Sequence, residues 1–338
     1  MTKRSHGRSR RSYLAGVGSV AALGVAGCLG GGSSSDTVTV AHMPIFPDLQ
    51  YYVMESEGYL DEIDATVESQ EFTNGPDIVG ASASGDIDIA MFGVVPAMIA
   101  IDRGIPAKVT AANIKEPMAI VADQQLSALW AEHGSDAFGV WEDDNGEQFT
   151  FGTFPQGSVP DVLLRYWLQE EGVDPEADVQ ITEINGANAV FQAIANGEVD
   201  GTSIMEPVPT RVASEDLGFE TFRTSSEIMP GQPAAVTLMT DEIRESAVGS
   251  EFLRQHVRAT EFIANNPDET AGIVEDGIGM PADQARQALA GPLANFVTDP
   301  EAIRSGTEIF AEFAAANGQT DAQLTTDQIF DTSIYSNL

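Results

Sequence analysis

The sequence predicts an α/β protein of two similar lobes around a cleft. Three observations carry that reading. The first is a phrase that occurs twice, at 77–96 and at 189–208. Each copy runs helix, Gly stop, acidic residue, apolar residue, Asp, strand, then a turn into another helix. Ser84-Gly85-Asp86-Ile87-Asp88 matches Asn196-Gly197-Glu198-Val199-Asp200. The second observation is the alternation of short apolar runs with helix-periodic segments, the pattern of a parallel sheet. The third is a pair of apolar crossings, 118–122 and 235–239. They divide the chain into one lobe of 37–120 plus 235–338 and another of 123–232. Two crossings make a hinge, and closure around a ligand is its usual consequence.

The elements follow in order. Residues 37–41 alternate like a strand, and 42–48 form the loop after it. Residues 49–57 read as a helix closed by Gly58. A second strand, 65–72, ends at Thr73-Asn74-Gly75-Pro76 and leads into the first copy of the phrase. Residues 98–103 are helical with Gly104 behind them, and 107–112 form a strand. The stretch 124–149 has no clear period; 141–146 looks like an exposed turn. Residues 148–153 form a strand. Phe154-Pro155-Gln156-Gly157-Ser158-Val159-Pro160 then opens a helix whose face is Val159, Val162, Leu163, Tyr166 and Trp167, and Gly172 stops it. After a strand at 179–183, Asn185-Gly186-Ala187-Asn188 opens the helix of the second copy. Ala187, Val190, Phe191 and Ile194 fall on one face of that helix. Asn196-Gly197 ends it, because glycine takes the left-handed conformation without penalty. A short strand at 219–223 and a turn at 229–233 follow. Helices at 250–264, 267–275, 281–289 and 300–316 complete the chain.

The charge balance is extreme: 16 basic residues against 52 acidic ones. Five of the basics (Lys3, Arg4, Arg8, Arg10, Arg11) lie in the first 27 residues, which hold no acid. Beyond them 11 − 52 leaves −41, with Lys108 and Lys115 the only lysines. Such a surface argues against nucleic acid, which needs clustered Lys and Arg. It suits very high salt, where charge is screened within about 3 Å at 1 M. Abundant Asp and Glu with almost no Lys resembles a haloarchaeal composition. One cysteine excludes an intrachain disulfide, and four scattered histidines argue against a metal site.

Residues 1–27 read as an export signal rather than structure. Ser9-Arg10-Arg11-Ser12-Tyr13-Leu14 resembles a twin-arginine signal, and the apolar run 15–26 is too short for an ordinary membrane span. Val25-Ala26-Gly27-Cys28 resembles a lipobox, which makes Cys28 the lipidated first residue of the mature chain. Residues 28–36 then form a flexible Gly/Ser tether. The expectation is a monomer held by lipid on the outer face of the cell membrane.

Three motifs together resemble a family. They are Ala83-Ser84-Gly85-Asp86-Ile87-Asp88-Ile89-Ala90, Gly152-Thr153-Phe154-Pro155-Gln156-Gly157-Ser158 opening a long helix, and Ala195-Asn196-Gly197-Glu198-Val199-Asp200 leading to Glu206-Pro207. In this order, behind a lipoprotein leader, they look like the nitrate/sulfonate/taurine-type solute-binding proteins of ABC importers. The likeness covers nearly all of 37–338. It implies two Rossmann-like lobes with a hinged cleft, the periplasmic binding protein type II fold. It also implies a small-molecule ligand handed to an ABC permease and its ATPase, with no enzymatic activity, cofactor or metal. Pyrimidine synthases of thiamine biosynthesis share that fold but use a Cys-rich motif and a histidine, and the only Cys here belongs to the leader. A thiamine-pyrimidine-type binding protein and a ligand-sensing receptor are the alternatives left open.

The ligand of such a fold sits outside the carboxyl ends of the strands. The resemblance therefore implies a site of Met43, Phe46, Asn74, Gly75, Gly93, Val94, Thr153, Gln156, Gly157, Ser158, Gly186, Asn188 and Glu206. Loops that precede helices present free N–H groups to an anion. Thr153 and Ser158 add hydroxyls; Asn74, Gln156 and Asn188 add amides; Phe46 and Phe154 suit apolar walls. Ser158, Asn188 and Asp48 also suit plain helix N-caps. Glu206 suits either a contact to a cationic ligand group or stabilisation of the next helix. No arginine falls on a cleft loop, and Lys115 is the one basic candidate. The expected ligand has an anionic end and a cationic or donor end, as in a taurine-like sulfonate, or is a neutral heterocycle.

Overall fold

The short apolar runs become strands and the periodic segments become the helices that cover them. In the computed structural model, which describes residues 37–338, the chain opens with β1 (Thr37–His42), α1 (Leu49–Ser56), β2 (Thr66–Glu71), α2 (Gly75–Ser84), β3 (Ile89–Gly93), α3 (Val94–Asp102) and β4 (Ala107–Lys115). A second run follows: β5 (Met118–Asp123), α4 (Gln124–His133), α5 (Ala137–Asn145), β6 (Thr150–Thr153), α6 (Val159–Glu170), β7 (Gln180–Glu183), α7 (Ala187–Ala195), β8 (Gly201–Met205), α8 (Val208–Ser214), β9 (Phe219–Thr224) and α9 (Ser225–Ile228). The chain then returns through β10 (Pro233–Thr240) to α10 (Asp241–Arg244), α11 (Ala247–Asn265), α12 (Pro267–Ile278), α13 (Ala282–Leu289) and α14 (Arg304–Ala316). Two single-turn helices, α15 (Thr326–Ile329) and α16 (Ser333–Ser336), end it.

The strands form two five-stranded sheets with orders β2-β1-β3-β10-β4 and β7-β6-β8-β5-β9. The pairing senses agree position by position. In each sheet the first three strands are parallel and the last two run antiparallel to their neighbours.

The repeated phrase explains part of that equivalence. Asp88 exchanges two bonds with Thr39 of β1: its N–H donates to the Thr39 carbonyl at 3.0 Å, and its Oδ2 accepts the Thr39 N–H at 2.8 Å. Asp200 does the same with Thr150 of β6, at 2.8 Å and 2.8 Å. The carbonyls of Asp88 and Asp200 in turn accept the N–H groups of Thr240 and Asp123 at the antiparallel neighbours. The Asp of the phrase thus ties three strands together at the start of the middle one.

Two segments connect the sheets. Glu116 sits at φ 54°, uncommon for a side chain larger than glycine, and its N–H donates to the Gln232 carbonyl at 2.9 Å. Its carboxylate accepts the Gly231 N–H, so the outward and return crossings are fastened side by side. The sequence-derived boundary at 120 falls inside β5, all of which pairs in the second sheet, and that at 235 falls inside β10. The crossings lie a few residues earlier in each case, at 116–117 and 229–232.

The stretch without a clear period is α4 and α5. Trp141 belongs to α5 and is buried at 5% exposure rather than lying in an exposed turn. It packs edge-on to Phe149, beside Phe138, Phe151, Trp167, Trp130 and Phe222. The acidic run Glu142-Asp143-Asp144 on the wet face hides that apolar face from a periodicity reading.

Candidate functional site in the interlobe cleft

The carboxyl ends of both sets of parallel strands point at one place. The loop after β1 brings Met43, Ile45 and Pro47; the start of α2 brings Gly75; the turn from β3 into α3 brings Gly93 and Pro96. Across from them stand Phe154, Ser158, Val159 and Pro160 from the β6–α6 loop and Met205 from the end of β8. Ala234 and Ala235, at the return crossing, complete the wall. The cavity so formed leaves about 20 Å³ to the centre of a water-sized sphere, room for about one water. A neighbouring chamber of about 230 Å³ opens at the mouth. Thr73, Asn185, Gly186, Asn188 and Pro207 line it, and Ile45 lines both.

The two halves meet closely here. Nδ2 of Asn74 donates to Oδ1 of Asn185 at 2.9 Å, one side chain from each half. The Phe46 N–H donates to the Glu206 carbonyl at 3.3 Å. The rings of Tyr166 and Phe313 meet edge-to-face at 5.7 Å. Gly93 is required by this approach: a Cβ there would stand 2.9 Å from a methyl of Val159. Gly157, at φ 85°, faces Ile99 in the same way.

Six of the thirteen residues expected from the sequence line one of these two chambers: Met43, Gly75, Gly93 and Ser158 the inner one, Gly186 and Asn188 the outer. The others do different work. Phe46 is fully buried in the core beneath α1 and is not a ligand wall. Val94 is buried in the core as the first residue of α3. The Thr153 hydroxyl donates to the Ser203 carbonyl at 2.9 Å, which fixes β6 against β8. Gln156 faces solvent, and its N–H donates to Glu183. Asn74 caps α2 and latches the two halves. Gly157 lends its φ and its N–H to the turn. Of the six that line a chamber, Asn188, exposed at the mouth, also accepts from Arg211 and does not cap α7.

Glu206 is also a correction. Its carboxylate accepts the Thr210 N–H at 3.1 Å and the Thr210 hydroxyl at 2.7 Å, so it caps α8 instead of reaching the cavity. Burial raises its pKa against the pull of those bonds.

The expectation of free N–H groups needs the same revision. In the loop before α6, the Gln156 N–H goes to Glu183, the Gly157 N–H to Asp161 Oδ2 at 3.3 Å, and the Ser158 N–H to the Pro155 carbonyl. The Asp161 N–H goes to the Ser158 hydroxyl. At α2 the Asp77 N–H goes to Asn74. The chain's own acceptors therefore take N–H groups at the starts of α2, α6 and α8. Burial pushes the Asp161 carboxyl upward, while its ion pair with Arg165 at 2.7 Å opposes that shift.

Ile45, Pro47, Pro96, Val159, Pro160, Met205, Ala234 and Ala235 line the inner cavity without being among the thirteen. Most sit within a residue or two of an expected position. The two alanines carry no motif; only their place at the return crossing could have drawn attention.

A buried polar cluster lies on the far side of the β1–α1 loop. Oδ2 of Asp48 accepts the Met43 N–H at 2.9 Å. Asn113 Oδ1 meets the Thr237 hydroxyl at 2.9 Å and His256 Nε2 at 3.1 Å, while Gln50 donates to the Asn113 carbonyl at 2.8 Å. Asp48, Gln50, Asn113, Thr237 and His256 are all 0% exposed. Burial lifts the Asp48 carboxyl well above the usual range and lowers His256 to about 3.

Two equivalent sheets meeting over a cavity define a two-lobed binding-protein fold. The chain belongs to the NMT1-like family, whose model matches residues 31–275. Among curated relatives, the bicarbonate-binding protein CmpA of Synechococcus elongatus is 26% identical over 239 residues, 66% of this chain and 50% of that protein. The chain thus spans about half the length of the curated relatives it matches. The periplasmic nitrate-binding protein NrtA of Synechocystis superimposes with a TM-score of 0.75 at 15% identity, covering 90% of this chain and 88% of that one. The aliphatic sulphonate-binding protein SsuA of Escherichia coli gives 0.69 at 16% identity, covering 89% and 94%. At these identities the two structures speak for the fold.

Proposed function

We propose that this chain is the extracytoplasmic solute-binding component of an ABC importer. It captures a small molecule between its lobes and delivers it to a permease and its ATPase. The carrying observation is the convergence of both sets of strand ends on one cavity across a two-stranded connection, which is how a hinged protein encloses a ligand. Membership of the NMT1-like family and likeness to binding proteins for bicarbonate, nitrate and sulphonates support it.

The leader adds the location. Its signals, which lie outside the described residues, support twin-arginine export and a lipid anchor at Cys28, and the charge balance supports work in concentrated salt. Cys28→Ser is expected to move the protein from the membrane fraction into the medium.

The test is a thermal-shift screen of residues 29–338 in multimolar KCl with taurine, alkanesulfonates, nitrate, bicarbonate and thiamine pyrimidines, extended to a small-molecule extract. A ligand at 100 times its Kd stabilises by about 2.7 kcal/mol, which raises the melting temperature visibly. No response to any solute or to the extract would sink the binding-protein reading.

A further inference from the structure

We infer that the ligand carries an uncharged, apolar group that fills the inner cavity, so that a bare inorganic anion is not the cargo. The inference rests on the solute-binding reading and narrows its substrate class.

Two independent observations carry it. The first is the wall. Met43, Ile45, Phe154, Val159 and Met205 present thioether, aliphatic and aromatic surface, and the Ser158 hydroxyl is the one polar side chain beside them. Among the described residues no Lys, Arg or His lines this cavity. A buried charge without a partner is far costlier than a buried apolar group.

The second is the state of the helix ends. An anion could still be held by backbone N–H groups and helix dipoles alone. Here the Gly157 N–H already serves the Asp161 carboxylate, and the Gln156 N–H serves Glu183. Glu206 occupies the start of α8. An entering anion would displace an internal carboxylate and face it at short range. Of the three helices whose starts line the inner cavity, α2, α3 and α6, only α3 begins without a side-chain cap, at Gly93, and Pro96 closes over that turn.

Any charged or strongly polar end of the ligand is therefore left to the outer chamber, beyond Ile45, where Asn185 and Asn188 stand.

The experiment compares two homologous series by calorimetry on the mature chain in KCl: methane-, ethane- and propanesulfonate, and acetamide, propanamide and butanamide. Nitrate and bicarbonate are run beside them. The first added methylene is expected to tighten binding about fourfold in both series, the value of burying one CH₂, with little gain from the next because the cavity is small, and the inorganic anions are expected to give no cleft binding. Ala234→Leu, which fills the wall with alkyl surface, is expected to abolish the chain-length trend. Nitrate or bicarbonate binding as tightly as propanesulfonate would overturn the inference while leaving the binding-protein reading intact. A missing chain-length trend, from uniform binding or from none, would overturn it too. Only silence toward every solute, the extract included, would remove the underlying reading as well.

Discussion

The two copies of the repeated phrase begin alike and end differently. Asp88 and Asp200 make the same pair of bonds to the neighbouring strand and serve the same third strand. At the other end of the strand, the first copy closes with Gly93, which leaves α3 without a side-chain cap and lets Val159 approach. The second closes with Glu206, whose carboxylate seals the start of α8. The amino ends of the two strands build the scaffold and are kept the same. The carboxyl ends face the cleft, and there the halves have specialised, one to admit contact and the other to close itself.

The backs of the two sheets differ as well. The first lobe hides a polar cluster of Asp48, Gln50, Asn113, Thr237 and His256, whereas the second hides an aromatic one around Trp130, Phe138, Trp141 and Trp167. Titration should therefore be felt in the first half and packing changes in the second.

Four measurements test how alike the two halves are. The largest effect is expected from Asp88→Ala and Asp200→Ala. Each removes a charged acceptor from a strand N–H, a loss of about 1.5–3 kcal/mol. Equal losses in denaturant unfolding would support the equivalence; a gap of several-fold would break it. Gly93→Ala comes next. Its Cβ would press on Val159 and Pro96, and overpacking of this kind costs about 1–3 kcal/mol. The clash with Val159, the closer of the two, exists only when the lobes meet, so small-angle scattering should show a larger radius of gyration with little change in secondary structure. An unchanged radius would mean that the lobes tolerate the methyl.

The third measurement is pH dependence. Burial holds His256 at about 3 in the folded state, below the ordinary 6.5. On acidification the unfolded chain takes the proton first, so this residue's contribution is complete above about 6.5 and is lost as the pH falls toward 3. His256→Gln should make stability between those limits less steep by about 1.4 kcal/mol per pH unit. An unchanged slope would show that the buried ring is not what drives acid sensitivity in the first half. The smallest effect belongs to Glu206→Gln, about 1 kcal/mol or less through the cap and dipole of α8. Ligand affinity should stay the same; a large change would place that carboxyl in the cleft after all.

Much of the scaffold was legible because it rests on local chemistry. Strand ends, Gly stops at 85 and 197, and the paired Asp residues all leave marks within a few positions. The site was legible as loops but not as side chains. Whether Glu206 or Thr153 faces the cavity or turns back on its own half depends on partners at Thr210 and Ser203, which no spacing rule announces. Phe46 and Trp141 show the limit from the other side. Each is placed by packing against residues distant in sequence, so the neighbouring loop or acidic run decided the reading.

The order of strands has a consequence for how the chain is made. The second sheet uses only strands between Met118 and Thr224, in one unbroken stretch, while the first has β10 wedged between β3 and β4. A ribosome that has released everything up to α9 has delivered all of one sheet and only four strands of the other. The half encoded in the middle is therefore expected to mature first, as a guest inside an unfinished host, and the host closes once residues 233–240 arrive. Pulse-labelled hydrogen exchange on chains stalled once residue 228 has cleared the ribosome would show protection in β5–β9 ahead of β1–β4; the reverse order would refute it.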